Sequence, residues 1–188
     1  MKKLIALLMA MVMVLSLAAC GKKAEAKPSV EVEVPGSALE VLETIWALYS
    51  DDEKFPVMGG DLNNMVDGAP GAYNVEDAEA LSYQLLVPAD QVANIDEAAS
   101  LFHGMMLNNF TCGVFHITGD ADAFASAMVN AVKNNQWMCG FPETMLVSVV
   151  GGEYVLMAFG INDAMNPFIA KFGEAYPEAV IVSNEPIA

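Results

Sequence analysis

Residues 145–159 constrain the fold of this chain most, because they predict a β-hairpin that is apolar on both faces. Two strand-like runs, 145–150 and 153–159, flank Gly151-Gly152, a dipeptide typical of two-residue hairpin turns. Pairing Val150 with Glu153 divides the apolar side chains between the faces: Val147, Val149, Tyr154 and Leu156 on one, and Leu146, Val155, Met157 and Phe159 on the other. Both faces must therefore be covered, by helices or by a second copy of the chain.

The elements around this hairpin predict an α+β fold. Residues 111–118 have strand character, 120–135 and 162–175 have helical periodicity, and 179–183 predict a last strand. The resulting order, βαββαβ, is that of the ferredoxin-like fold. We therefore expect an antiparallel sheet with a ferredoxin-like C-terminal half, covered by N-terminal helices.

The N-terminal half predicts two of these covering helices. Ser37-Ala38-Leu39-Glu40 matches a capping box and begins a helix over 37–50, and a second helix over 75–86 ends before Pro88. The glycine-rich segment 51–73 reads as a loop. Residues 96–106 fit either a helix or a strand that turns at Asn108-Asn109, and the strand is favoured. In that hairpin His103 faces Val114.

The first twenty residues indicate export and lipid attachment. Lys2 and Lys3 precede a largely apolar run that ends in Leu17-Ala18-Ala19-Cys20, which matches a secretory signal and resembles the bacterial lipobox. The run is shorter than the ~20 residues that span a bilayer. We expect residues 1–19 to be a cleaved signal peptide and 20–35 a flexible tether lipidated at Cys20. Residues 36–188 then form a single acidic domain, held at the outer face of the cell membrane.

Charge restricts the partners of this domain. The chain has eight basic residues, all lysines, and from Pro28 onward three lysines face 23 acidic residues, a net charge of −20. Such a domain is repelled by phosphate backbones, which excludes nucleic acid as a ligand. The charge favours cations or a basic partner, or serves solubility alone.

Two sets of side chains are candidate metal ligands. Asp61, Asn63 and Asp67 resemble part of a calcium loop, but the glycine offset and the missing closing glutamate depart from the EF-hand pattern, so a polar turn is the alternative. On the predicted strands His103, Cys112 and His116 share a face and form a candidate zinc site, with ordinary core histidines as the alternative.

Cys112 and Cys139 are the two cysteines that remain beside the lipidated one, and outside the cell an even pair suggests a disulfide. In the predicted strand order they lie two strands apart, ~9.6 Å, which exceeds the ~7 Å limit for a bridge. A disulfide therefore requires the loop 137–142 to fold inward, and two free thiols are the alternative.

No catalytic signature is present in the sequence. The motifs of serine hydrolases, zinc proteases and phosphate-binding loops are missing, and without arginine the chain cannot clamp a phosphate or carboxylate in a bidentate manner. These observations favour a non-enzymatic binding or accessory protein that engages a surface protein or a cell-wall component. The alternatives are a structural lipoprotein that forms homodimers and a small metal-dependent hydrolase using calcium or zinc.

The segments 136–142, 149–155 and 158–160, together with the lipobox, resemble an uncharacterised family of small Gram-positive bacterial lipoproteins, a domain of unknown function. The resemblance extends from about Ile95 to the C-terminus. Its motifs, a helix-to-strand corner and a glycine hairpin, are structural. The family has no established activity, so the resemblance implies a location at the cell surface and assigns no functional residue.

Overall fold

Eight strands form one antiparallel sheet in the computed structural model, which describes residues 34–187. The strands are β1 (Val57–Gly59), β2 (Val66–Asp67), β3 (Gly71–Tyr73), β4 (Ile95–His103), β5 (Phe110–Ile117), β6 (Thr144–Val150), β7 (Tyr154–Gly160) and β8 (Val180–Pro186). The helices are α1 (Ala38–Ala47), α2 (Ala78–Gln84), α3 (Ala121–Asn134) and α4 (Asn162–Ala175). The predicted signal peptide, the lipidation site Cys20 and most of the tether lie outside the described residues.

Side-chain caps begin three of these helices, α1 and α3 where the sequence predicts them and α2 at Ala78, three residues after the predicted start at 75. The Ser37 hydroxyl accepts a hydrogen bond from the Glu40 backbone N–H at 3.0 Å, and the Glu40 carboxylate accepts one from the Gly36 N–H at 2.7 Å. Asp77 caps α2 and Asp120 caps α3 in the same manner, each through the N–H three residues on. These bonds satisfy N–H groups that the first turn of a helix leaves without partners.

The two faces of the sheet carry separate hydrophobic cores, which confirms the prediction that both faces are covered. Helices α1 and α4 cover one face, with Leu42, Ile45 and Phe168 at the centre of the core. Helices α2 and α3 cover the other face, with Leu81 and Phe124 buried against it. Alternate residues of β6 and β7 belong to different cores, as the two-residue period of a strand requires.

The α+β class is confirmed, but the ferredoxin-like arrangement of the C-terminal half is not. The strand order is β2-β1-β4-β5-β7-β6-β8, with β3 also paired to β4. In a ferredoxin-like sheet the last strand pairs with the first strand of the motif, which here is β5. Strand β4 already occupies that edge of β5, and β8 pairs with β6 instead. Helix α3 connects β5 to β6, and α4 connects β7 to β8. Both connections step in the same direction across the sheet, but β5 and β7 are antiparallel. Because such crossovers are right-handed, α3 and α4 lie on opposite faces of the sheet.

The glycine hairpin turns over three residues, and the predicted register was wrong by one position. Val150 pairs with Tyr154 and Val149 with Val155, which leaves Glu153 in the turn with Gly151 and Gly152. Both glycines have positive φ, 61° and 84°. Because one extra turn residue changes every cross-strand partner, Val149 shares its face with Val155 rather than with Tyr154.

The N-terminal region contains more strand than the sequence predicts. Residues 95–103 form β4, so the favoured strand interpretation of that segment is confirmed. Strands β1, β2 and β3 are two or three residues long and fall within the predicted loop 51–73. Both β1 and β3 pair with the same edge of β4, β1 near its end and β3 near its centre. No helix of the described residues is long and apolar enough to cross a bilayer.

Candidate functional site

The Asp61 loop is held by its own amide groups and does not gather the predicted calcium ligands. The Asp61 carboxylate accepts hydrogen bonds from the backbone N–H groups of Asn63 (2.7 Å), Asn64 (3.1 Å) and Asn74 (3.2 Å). Burial opposes ionisation, but these bonds outweigh it and hold the pKa of Asp61 below its usual value. Asp67 is exposed on β2. Within residues 34–187, no three histidine, cysteine, aspartate or glutamate side chains converge on a metal position.

The predicted zinc ligands lie on one face of the sheet but not together. His103 pairs with Val57 on β1 rather than facing Val114, and its ring stacks on Phe55 with a centroid distance of 5.8 Å. His116 lies four residues beyond Cys112 on β5. Because a strand rises ~3.3 Å per residue, these two side chains are ~13 Å apart. The spacing along β5 and the position of His103 on β4 therefore separate the set that the sequence suggested.

Cys112 and Cys139 are both free thiols. Cys112 is buried in the core beneath α1 and α4, and that burial raises the pKa of its thiol well above the usual value. Cys139 is exposed in the loop between α3 and β6, where its backbone adopts a left-handed conformation with φ of 60°. A bridge would need this loop to fold inward to the buried strand, and the loop instead lies at the surface.

His116 takes part in a different cluster, which sequence reasoning missed. Its Nδ1 lies 2.5 Å from the Asp96 carboxylate, and its Nε2 lies 3.6 Å from the Glu153 carboxylate. The hydrogen bond to Asp96 is the main reason that the pKa of His116 is raised, against the opposing effect of burial. The cluster joins the start of β4 to the turn between β6 and β7, and it has the character of a surface ion pair that depends on pH.

The most unusual surface of the described residues is an apolar end, formed by turns at one end of the sheet and by the C-terminal part of α2. It comprises Leu62, Met65, Tyr83, Met106, Leu107 and Met138, all of which are exposed. Leu107 lines two clefts that connect these residues, one reaching Leu62 and Met65 and the other reaching Tyr83 and Met138. Tyr83 is 81 % exposed and Met138 77 %. Exposed apolar residues that form a contiguous patch, rather than single positions, mark interaction sites.

The apolar end is held in a defined shape by hydrogen bonds between its turns. Asn108, in the turn between β4 and β5, donates from its side-chain amide to the carbonyls of Met138 at 2.9 Å and Gly140 at 3.1 Å. Thr111 donates to the Leu107 carbonyl at 3.0 Å. Ordered backbone holds the methionine and leucine side chains outward, so their exposure is a property of the fold and not of a free terminus.

The larger cleft of the apolar end has a volume of about 250 Å³ and no charged residue in its lining. Its wall combines side-chain amides with aromatic rings, contributed by Tyr83, Gln84, Asn108, Asn135, Gln136 and Trp137. The smaller cleft, about 80 Å³, contains one charged residue, Asp61, whose carboxylate is buried and already hydrogen-bonded. In a chain with 24 acidic residues, a surface without available charge is a distinct feature.

The opposite end of the sheet is different in character. A cleft of about 540 Å³ lies there beside Gly151 and Gly152, and three carboxylates line it: Asp120, Asp122 and Glu178. The described chain begins at this acidic end, where Val34 and Pro35 pack against Gly151. The first described residue and the apolar end are therefore separated by the length of the central strands, ~23 Å for the seven residues of β7.

Sequence reasoning did not identify the apolar end, although a signal was present. Met105, Met106 and Leu107 stand where a hairpin turn is expected, and Met138 and Phe141 stand in the loop before β6. Turn positions usually hold polar residues or glycine, so apolar residues there indicate a function other than folding.

No protein-family model matches the chain, and no curated protein and no solved structure matches it.

Proposed function

We propose that this protein is a non-enzymatic binding module, anchored by lipid on Cys20 to the outer face of the cell membrane, and that its apolar end contacts the partner. The exposed, charge-free apolar end carries this proposal. Burial of apolar surface is the main favourable term in association, and methionine adapts to partner surfaces of irregular shape. The partner is a surface protein or a cell-wall component, in keeping with the resemblance to Gram-positive lipoproteins.

The position of the apolar end supports this function. The tether of a lipid-anchored protein would enter the domain at Val34, at the acidic end beside Gly151. The apolar end lies at the far end of the strands and would be available to molecules away from the membrane. The acidic body would be repelled from anionic headgroups and attracted to a basic partner, which would hold the domain as a whole away from the membrane surface.

Photo-crosslinking in intact cells tests this proposal. The photoreactive residue p-benzoylphenylalanine is placed at Met138 in the apolar end, and at Glu174 near the C-terminus of α4 as a matched exposed control. We expect a discrete adduct from Met138 and none from Glu174. Adducts of equal yield from both positions, or none from Met138, would contradict the proposal. A Leu107→Ser substitution should reduce the yield at Met138 because it adds a polar group between the two clefts.

Structural self-association is a second candidate function, favoured by strand β8. This strand lies at the edge of the sheet, and three successive β-branched residues, Val180, Ile181 and Val182, are exposed on it. Exposed apolar edge strands are templates for pairing with another chain. Sedimentation of the full chain in detergent tests this function. Dimers that Ile181→Lys converts to monomers would support it, and a monomer at high concentration would exclude it.

A further inference from the structure

The uncharged cleft of the apolar end combines features that select one class of ligand. Apart from its apolar wall, it presents the side-chain amides of Gln84, Asn108, Asn135 and Gln136 and the aromatic side chains of Tyr83 and Trp137. A side-chain amide offers two donors and an acceptor with two lone pairs, without net charge. Four such groups in one small cleft suit a ligand with many hydroxyl or amide groups and no charge.

Two of the amides are held in fixed positions by bonds that leave part of their capacity free. The Gln84 side-chain oxygen accepts from the Tyr73 hydroxyl at 2.8 Å, which leaves its NH₂ group for a ligand. Asn108 uses its NH₂ group on the carbonyls of Met138 and Gly140, which leaves its oxygen as an acceptor. The cleft therefore presents an ordered donor and an ordered acceptor, and little entropy is lost when a ligand binds them.

Trp137 adds an indole N–H without a partner. Its Nε1 is buried and makes no hydrogen bond within residues 34–187. Leaving such a buried donor unpaired is unfavourable, because it loses its hydrogen bond to water and gains none in the protein. The Trp137 ring packs against Phe159 with a centroid distance of 4.9 Å, and it belongs to the loop that Asn108 ties down. A ligand oxygen that reached this N–H after a small movement of the loop would relieve that cost.

We propose that this cleft binds one neutral sugar residue of a glycan, an inference that rests on the proposed function and specifies its ligand. The hydroxyl groups of a sugar both donate and accept, as the amides do, and the C–H face of a pyranose ring packs on aromatic side chains. At about 250 Å³ the cleft is smaller than the ~300–1,000 Å³ of sites for drug-sized ligands, which suits a single ring. Anionic sugars are disfavoured by the acidic domain and by the missing counter-charge.

Tryptophan fluorescence of the full chain, in a detergent without a sugar headgroup, tests this inference. The chain has two tryptophans, and Trp46 is replaced with phenylalanine so that Trp137 alone reports. The probes are N-acetylglucosamine and its β-1,4-linked trimer, with glucuronate as the charged comparison. We expect a saturable change with the neutral sugars and none with glucuronate. If neither of the two neutral probes gives a saturable change, the inference is overturned.

Variants of the glutamine side chains in the cleft test whether the sugar binds there. Gln84→Ala and Gln136→Ala should each weaken binding about tenfold, the loss of one hydrogen bond in the cleft. Because Gln136 is exposed, its replacement leaves the fold intact even if Gln84→Ala does not. Asn130→Ala, an exposed amide on α3 outside the cleft, is the matched control and should bind as the parent does. Binding that both glutamine variants leave unchanged would contradict the assignment to this cleft. Failure of all sugars to bind, with crosslinks still specific to Met138, would reject the sugar and retain the proposed function.

Discussion

Asn108 holds Met138 in place: its side-chain amide donates to the Met138 carbonyl at 2.9 Å and joins the β4–β5 turn to the loop before β6. The same amide donates to Gly140 at 3.1 Å, so one side chain fixes two points of that loop. The shape of the apolar end therefore depends on a polar residue at its centre, and this dependence can be measured.

Replacing Asn108 with alanine should release the loop while the cores remain intact. Two hydrogen bonds between uncharged groups contribute about 0.5–1.5 kcal/mol each, less at a solvent-accessible site. We expect faster hydrogen exchange at residues 138–141 and a loss of about 1 kcal/mol in the free energy of unfolding. Exchange in β6 and β7 should rise by no more than about fivefold, the change that a loss of about 1 kcal/mol in global stability implies, and Asn130→Ala is the control. Unaltered exchange at 138–141 would show that other contacts hold the loop.

Gly59→Ala should destabilise the protein strongly, because β1 and β3 approach each other at this glycine. A Cβ at Gly59 would lie 2.2 Å from the backbone nitrogen of Gly71, and backbone on both sides leaves no room for adjustment. Overpacking of this kind costs about 1–3 kcal/mol or more. Gly173→Ala in α4 is the matched control, since nothing lies within 4 Å of its Cβ position. The control should gain about 0.5–1 kcal/mol from helix propensity. Chemical denaturation of both variants checks this prediction, and equal stabilities would refute it.

The His116–Asp96 pair should make stability depend on pH. The pKa of His116 is raised in the folded protein above the ordinary value of 6.5, chiefly by the hydrogen bond to Asp96. The unfolded chain therefore loses its proton first as the pH rises. The contribution to stability is complete below about 6.5 and is lost as the pH rises through the higher folded pKa.

Asp96→Asn provides the measurement for this pair. The difference in melting temperature between parent and variant should be largest near pH 5.5 and should shrink in alkaline solution, and NMR titration of the His116 ring should give a lower pKa in the variant. His103 serves as an internal comparison in the same spectra. A melting difference that does not change with pH would argue that Asp96 acts through packing alone.

The two thiols of the domain should differ sharply in reactivity. Cys139 is exposed, whereas Cys112 is buried with its thiol pKa raised, so only Cys139 should react with maleimide under native conditions. In denaturant both should react. Mass spectrometry of the digested chain separates these peptides from the one containing Cys20, and Cys139→Ser should remove the native signal. A disulfide would be indicated if neither cysteine reacted with maleimide under native conditions and both reacted only after a reductant was added.

Local signals predicted the helices well. The capping box at Ser37 and the helical spacing of apolar residues gave α1, α3 and α4 to within a few residues, because these features act over one or two turns. Strands β1 to β3 escaped prediction because they are too short to show a period. The pairing of β1 and β3 with β4 joins residues 25 to 46 positions apart in the chain, and such contacts leave no local pattern.

The sequence could not reveal which strand β8 would join, or the register of the glycine hairpin. Strand β8 pairs with β6 because β4 already occupies the other edge of β5, and the hairpin register depends on whether Glu153 lies in the turn.

The candidate site was missed for a related reason. Tyr83, Leu107 and Trp137 lie in three separate segments, and only the tertiary structure shows that they line one uncharged cleft. Of the two suggested metal sets, strand spacing and register separate the histidines and cysteine, and in the other the Asp61 carboxylate is occupied by backbone N–H groups of its own loop.

Helices α3 and α4 cross on opposite sides of the sheet, and this leaves neither face open to another molecule. The surface open to a partner is therefore limited to turns and edges, whose exposed side chains contribute little to either core. Residues of the turns, such as Met106 and Met138, can be exchanged without repacking the interior. The exposed side chains of the apolar end are therefore separable from the stability of the two cores, and these positions can be diversified in the laboratory as loops on a fixed scaffold.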